Sequence, residues 1–505
     1  MNAIRSQLLI LLVVGLFSLN ASGCRDEIFT GKREARGVWM SRFEYSGEGR
    51  RADPQASQNY IRTVFARARR ARLNMVFFQV RGNGDAYYRS SLEPWAESLS
   101  GTLGQDPGWD PLAFATREAH ALGLELHVWI NTFPIWRGRE LPPDTVTPRP
   151  IVLEHPEWLV SDSAGIPMPL SEHYVNLSPG VPQARQHILN VVGEIVDRYD
   201  IDGIHFDYIR YPEESTRRGY SHDSISVARF TSLEGNPDRL DWDDWQRQQV
   251  NQFVFDAYNT ITGYKPWIKV SAAVIGKYTG SGWTGYNSVY QDPRRWMELG
   301  KMDFIVPMVY WERSHQTHPF VPLVHEWADR VAYDRQVLPG LSVALEREYG
   351  WSEIAAQIRE TRQTGLPGVV FFAASSLERN WDQLGMDEFP YWSLVPRMPW
   401  KDTTLPERPT HLTVLTSPGA VTLSWERPRG DSSLASVVYR TDQAQITPSK
   451  VTEILWVSGR HDSVYVDRSP LQGIARYAVS TLDRLGNESR ISDIVTISGF
   501  EVARR

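Results

Sequence analysis

Between Arg36 and about Trp392 the chain repeats one unit eight times, a short apolar run followed by a longer amphipathic one. The short runs are Gly37–Ser41, Asn74–Arg81, Glu125–Asn131, Gly203–Ile209, Ile268–Val274, Asp303–Tyr310, Gln336–Leu341 and Gly368–Ala373. Their length and lack of polar alternation predict strands covered on both faces, as in a parallel sheet. Helical stretches are predicted over Ser57–Ala71, Pro111–Leu122, Val181–Tyr199, Trp242–Thr262 and Ser352–Thr364. Asp110-Pro111 supplies a start signal for one of them and Gly123 its stop. Eight such units over roughly 350 residues predict an α/β fold, a (β/α)8 TIM barrel. A doubly wound open sheet is the alternative. It lacks support because no glycine-rich phosphate fingerprint follows the first strand.

The flanks read differently. Residues 1–23 carry Arg5, an apolar run from Leu8 to Leu19, and then Ala21-Ser22-Gly23 before Cys24, the only cysteine of the chain. This is the pattern of an export signal, with an apolar run too short to span a bilayer comfortably. It resembles a bacterial lipoprotein leader, which implies lipidation of Cys24. Arg25, where some lipoproteins have Asp, resembles an outer-membrane address facing the periplasm. A single cysteine allows no disulfide within the mature chain. Residues 24–35 are expected to be a tether, 36–395 the barrel, and 396–409 a stiff linker carrying Pro396, Pro399, Pro406 and Pro409. Residues 410–500 alternate in strand fashion, and Val421–Trp425, Val438-Tyr439 and Tyr477–Ser480 resemble a fibronectin type III-like sandwich.

In a barrel of this kind chemistry gathers where the strands end. Ser41-Arg42, Gln79, Arg81, Trp129, Asn131, Lys277-Tyr278 and Tyr310-Trp311-Glu312 stand at the expected strand ends, while the strand starts are bland. Two long connections, Thr132 to about Pro182 and Glu213–Leu240, are rich in aromatic residues and proline and should wall a groove. The segment from Asp202 to Pro212 is the most telling. Strand parity puts His205, Asp207 and Ile209 on one face and Phe206, Tyr208 and Arg210 on the other. Asp207 should therefore face the barrel mouth, kept ionised by His205 and Arg210. A structural Asp207–Arg210 ion pair is the alternative. Asp202 opens the strand at the far end, where a cap or a pair is expected.

Several stretches resemble the glycosyl-hydrolase-like family 10 of bacterial envelope barrels. They are Glu34–Trp39, Val76–Tyr88, Asp202–Pro212 and Met302–Trp311. The resemblance implies a hydrolase of glycan O-glycosyl bonds, acting on cell-envelope polysaccharide of the peptidoglycan type. Glycoside hydrolysis needs two carboxyl groups across the scissile bond. Asp207 is the first candidate. Glu312 and Glu346 are candidates for the second, with Asp85 in the loop after the second strand. Related sequences often carry an acid directly after the position of Asp207, where this chain has Tyr208.

Gln79, Arg81, Asp85, Asn131, Asn176, His205, Arg210, Tyr310 and Trp311 are expected to bind sugar. Trp39, Trp129, Trp136, Trp283 and Tyr286 join Trp311 as stacking candidates, although Trp39 and Trp129 could equally be core. Asn131 and Asn176 could instead cap local backbone. His127, His173, His205 and Asp207 could approach one mouth. No metal-binding spacing accompanies them, so neither metal nor cofactor is expected. A net charge of −6 without a long basic run argues against nucleic acid as a partner. Polysaccharide and, through Cys24, a membrane are the partners expected. Two other readings stay open, a glycan-binding envelope lipoprotein without catalysis and a metal-dependent polysaccharide deacetylase.

Overall fold

The computed structural model describes residues 31–47, 50–329, 335–430 and 433–500. The leader over 1–23 and the lipidation site Cys24 lie outside the described residues. Eight parallel strand positions close on themselves. They are β1 (Ala35–Met40), β2 (Met75–Arg81), β3 (Glu125–Asn131), β4 (Gly203–Asp207), β5 (Lys269–Ile275), β6 (Phe304–Met308), β7 (Gln336–Val337, resumed at Gly340–Ser342) and β8 (Gly368–Phe372). Each pairs with the next, and Ala35 registers with Gly368 to complete the ring. The break in β7 falls at Leu338-Pro339, where proline has no N–H to give a ladder.

Helices cover the outside, and their starts are written in the sequence. Asp53, Asp110 and Asp292 each precede a proline, and each carboxylate accepts from the backbone N–H three residues on. The cap satisfies a free donor, while proline fills the first helical position, where no donor is needed. Side chains alternate along the strands. Phe77, Trp129, Phe304 and Val370 fill the barrel interior, while Val76, Val128, Ile204, Phe206 and Ile305 pack outward against the helices.

After the barrel, a three-stranded and a four-stranded antiparallel sheet share one core built on Leu423, Trp425, Val438, Tyr477 and Val479. This C-terminal region is docked against the base of the barrel. Arg460 pairs with Asp202, directly before β4, and Arg484 with Asp200 at 2.5 Å. Gly123 comes so close to the backbone of Ser458 that an added Cβ would lie 2.3 Å from its carbonyl oxygen.

The segment expected as a stiff linker is partly tied down as well. Lys401 and Trp400 both bind Asp303, at 2.9 and 2.8 Å, and Met398 and Leu485 join the interior core from below. Residues 31–35 of the expected tether likewise pack, with Lys32 paired to Glu488 at 2.5 Å and Glu34 held by Arg36 and Arg362.

Candidate active site

At the opposite end, where the strands finish, a cavity of about 590 Å³ opens. Trp39, Gln79, Trp129, Asn131, Asp207 and Tyr310 form its interior, and Trp283, Trp311 and Phe372 contribute further wall. A second cavity of about 580 Å³ lies alongside, bounded by the long connections expected to build a groove and lined by His173, Asn176 and Tyr220 among others. Phe43, Tyr174, Tyr208, Arg210 and Glu213 line both, so they form the saddle between them.

Asp207 is the last residue of β4 and points inward, as its parity predicts. Its side chain is 10% exposed. One oxygen accepts from the Tyr208 N–H at 2.7 Å, and Arg210 Nη1 stands 3.6 Å away, longer than a hydrogen bond. The Trp129 indole N–H lies beside the carboxyl, yet it closes no hydrogen bond of normal geometry. Burial dominates this balance. It raises the Asp207 pKa above the usual carboxylate value, against the opposing pull of Arg210 and the Tyr208 N–H. The shift runs opposite to the one that a neighbouring cation alone would give.

His205 cannot supply the missing positive charge. It is fully buried one layer below, under Trp39 and Phe77, and burial pushes its pKa well down. The Trp39 indole N–H can only donate, and it donates to His205 Nε2 at 3.0 Å. The ring proton is therefore on Nδ1, which donates to Ser271 Oγ at 2.9 Å. His205 lines neither cavity and supports the floor rather than touching a ligand.

Parity fails one residue after Asp207. Tyr208 has φ of +50°, a left-handed conformation that resets the alternation. Ile209 consequently packs in the outer core, not beside His205 and Asp207, while Tyr208 and Arg210 turn toward the cavities. The Arg210 guanidinium lies 4.4 Å from the centre of the Tyr208 ring. Its Nη1 is buried without a hydrogen-bond partner, and its Nη2 is 3.6 Å from Glu213.

The remaining expected site residues divide. Gln79 and Asn131 face the cavity and are locked together. Gln79 donates to Asn131 at 3.1 Å and accepts from the Arg42 N–H, and Asn131 donates to the Gly82 carbonyl. Tyr310 lines the wall, stacked on Phe372 at 5.4 Å, and Trp311 carries His318 on its face at 4.7 Å. Asn176 belongs to the second cavity, its amide donating to the Tyr174 carbonyl.

Arg81 does not reach the mouth. It is wholly buried in a two-pronged pair with Glu93 (2.7 and 2.8 Å) and also donates to the carbonyls of Asn131, Thr132 and Pro134. Asp85 turns back to accept from the N–H groups of Gly82 and Asn83. Both hold the loops that shape the mouth. Trp136 and Tyr286 line neither cavity, the first donating to the Glu140 carbonyl and the second lying under Arg247.

Residues 34–343 match the family described as glycosyl hydrolase-like 10, which is more than half of the chain. The chain belongs to this family. Among similar proteins, the glycosyl hydrolase YngK of Bacillus subtilis (strain 168) is 28% identical over 523 residues, covering 97% of this chain and 98% of that one. The glycosyl hydrolase DigH of Escherichia coli (strain K12) is 28% identical over 332 residues, or 59% of this chain and 70% of its own. Among solved structures, the PgaB (BpsB) glycoside hydrolase domain from Bordetella bronchiseptica superposes with a TM-score of 0.48 at 13% identity. That match covers 70% of this chain and 98% of the domain.

Within this glycosyl hydrolase-like barrel, neither expected second carboxyl lines a cavity. Glu312 lies near Tyr349, and Glu346 opens a short helix outside the mouth. Among the described residues lining the main cavity, Asp207 and Glu213 are the only carboxylic acids. Sequence reading passed over Glu213, together with Phe43, Tyr208 and Phe372 as cavity walls. The available signal was its spacing, since Glu213 stands three residues after Arg210 and directly follows the Asp202–Pro212 segment. Among the described residues, no group of three or more His, Cys, Asp or Glu side chains is arranged to hold a metal ion.

Proposed function

We propose that this protein is a glycoside hydrolase of the bacterial cell envelope, cutting O-glycosyl bonds in peptidoglycan-type strands with Asp207 as a catalytic carboxyl group. One observation carries the reading: a carboxyl group with a burial-raised pKa stands at the end of β4 in a polar and aromatic cavity of about 590 Å³. A raised pKa suits a general acid, which must hold a proton until the leaving oxygen needs it. The unpaired Trp129 N–H and Arg210 Nη1 beside it are donors left free for a ligand or for the charge that appears when the proton departs. Trp283 and Trp311 offer flat apolar faces of the kind that cover sugar rings. Gln79 and Asn131 are fixed by each other, so their polar edges are pre-set for hydroxyl or acetamido groups.

The envelope address rests on the leader and Cys24, and the proposed state is a lipid-anchored protein on the outer membrane facing the periplasm. The C-terminal sheets are proposed to be a fibronectin type III-like module. The soluble form, cut after Cys24, should release new reducing ends from purified glycan strands, and Asp207→Asn should release almost none. Parent-rate turnover by Asp207→Asn would remove the catalytic assignment. A wild-type protein that binds strands yet never cuts them would favour a binding role. Loss of acetate without loss of chain length would favour deacetylation.

A further inference from the structure

Resting on the hydrolase reading, we infer that Glu213 is the second catalytic carboxylate, the base that activates water in a reaction inverting the anomeric centre. Four observations converge on it. Glu213 lines both cavities and so sits on the saddle between them, where a strand crossing from one to the other would pass. It is the only other acid on the main cavity among the described lining residues. Its side chain is 64% exposed, against 10% for Asp207, so one acid faces water and the other is shielded from it. Its backbone is held in place by the Trp283 indole N–H, which donates to the Glu213 carbonyl at 3.3 Å.

The geometry also bounds the spacing. Asp207 and Glu213 stand by different nitrogens of one guanidinium, each at 3.6 Å. Sharing Arg210 caps their separation near the upper end of the roughly 6.5–9.5 Å range in which a water fits between sugar and base. The exposure of Glu213 gives it access to water, which fits activation of water rather than direct attack by the carboxylate. The residue after Asp207 is Tyr208, whose left-handed backbone redirects the chain so that Tyr208, Arg210 and Glu213 all line the cavity.

The step balances without a co-reactant other than water. Asp207 gives its proton to the glycosidic oxygen as the bond from that oxygen to the anomeric carbon breaks. Glu213 takes a proton from water, whose oxygen bonds to the same carbon from the opposite face. The products are a free hydroxyl and a hemiacetal of inverted configuration. Solvent exchange then returns the proton to Asp207 and removes it from Glu213. Arg210 is a positioning residue, its two terminal nitrogens each standing 3.6 Å from one of the acids.

The test uses the soluble chain on purified envelope glycan strands, with and without peptides. Glu213→Gln should lower kcat by about 10²–10⁴-fold, with KM changed less than about threefold and the unfolding temperature unchanged. Glu213→Asp should retain more activity than Glu213→Gln. Sodium azide, an anion that attacks without a general base, should restore turnover to Glu213→Ala and give the glycosyl azide. Proton NMR of the first product formed should show the opposite anomer to that of the substrate. Parent-like kcat in Glu213→Gln beside an inert Asp207→Asn, or a first product of retained configuration, overturns the role of Glu213 while leaving the hydrolase intact. Unchanged strands under the wild-type protein, or an active Asp207→Asn, overturn the hydrolase reading itself, and this role with it.

Discussion

The two ends of the barrel treat buried acids in opposite ways. At the base, Asp202 is gripped by Arg460 and His120 and accepts from the Leu126 N–H. Burial alone would raise its pKa, but Arg460 and then His120 overcome burial and hold it well below the usual value. At the mouth, Asp207 is also buried but has only a loose cation and one backbone donor, so burial wins and its pKa rises. The base spends its charges on docking the C-terminal region. The mouth leaves Trp129 and Arg210 donors unmatched. A tightly paired acid marks the end that holds the fold, and a loosely paired one the end poised for a ligand.

Replacing the acid at each end should separate activity from stability. Asp207→Asn should lose about 10³-fold or more in kcat, read as reducing ends released per minute, yet remain folded. Asp202→Asn should do the reverse, losing ~3 kcal/mol of stability because Arg460 and His120 are left beside a neutral amide. Denaturant unfolding reads that loss, and kcat per folded molecule should hold. A large activity loss in a fully stable Asp202→Asn would break the contrast.

Glu93 tests whether the supports beneath the mouth behave like the base. Arg81 and His187 outweigh burial and draw its pKa down to about 2. Glu93→Gln leaves the Arg81 guanidinium buried without its partner and should cost ~3–5 kcal/mol.

The pH dependence carries opposite signs at the two ends. For Asp202 and Glu93 the folded pKa is depressed. Their stabilisation is complete above an unfolded value of about 4 and fades as pH falls through the folded value. For Asp207 the folded pKa is raised. The native state then binds the extra proton between about 4 and that higher value, so stability falls as pH rises through this window. Asp207→Asn should therefore melt above the parent at neutral pH and lose the gain in acid. As general acid, Asp207 should also set the alkaline limb of kcat/KM, and a limb that survives Asp207→Asn would reassign it. The smallest effects belong to Glu312→Gln and Glu346→Gln, which should stay within about threefold of parent activity because neither side chain lines a cavity.

Much of this was legible in the chain. Eight apolar runs gave the eight strand positions, with Glu125–Asn131 matched residue for residue, because a strand buried on both faces needs an uninterrupted apolar run. Parity placed Asp207 at the mouth for the same local reason. It failed at Ile209, since the left-handed turn at Tyr208 is a single-residue event that no periodicity records. Arg81 reads as a binding residue in sequence, but its partner Glu93 lies in the following loop and only the folded loop joins them.

Sequence by itself determined the barrel and the inward acid of β4, because local hydrophobic pattern and helix caps act within a few residues. Tertiary structure decided the rest. Whether the pKa of Asp207 or Asp202 moves up or down depends on which cations arrive from 3 or 258 residues away. Field and burial at a carboxyl group come from all neighbours in space, and a linear reading sees only those along the chain.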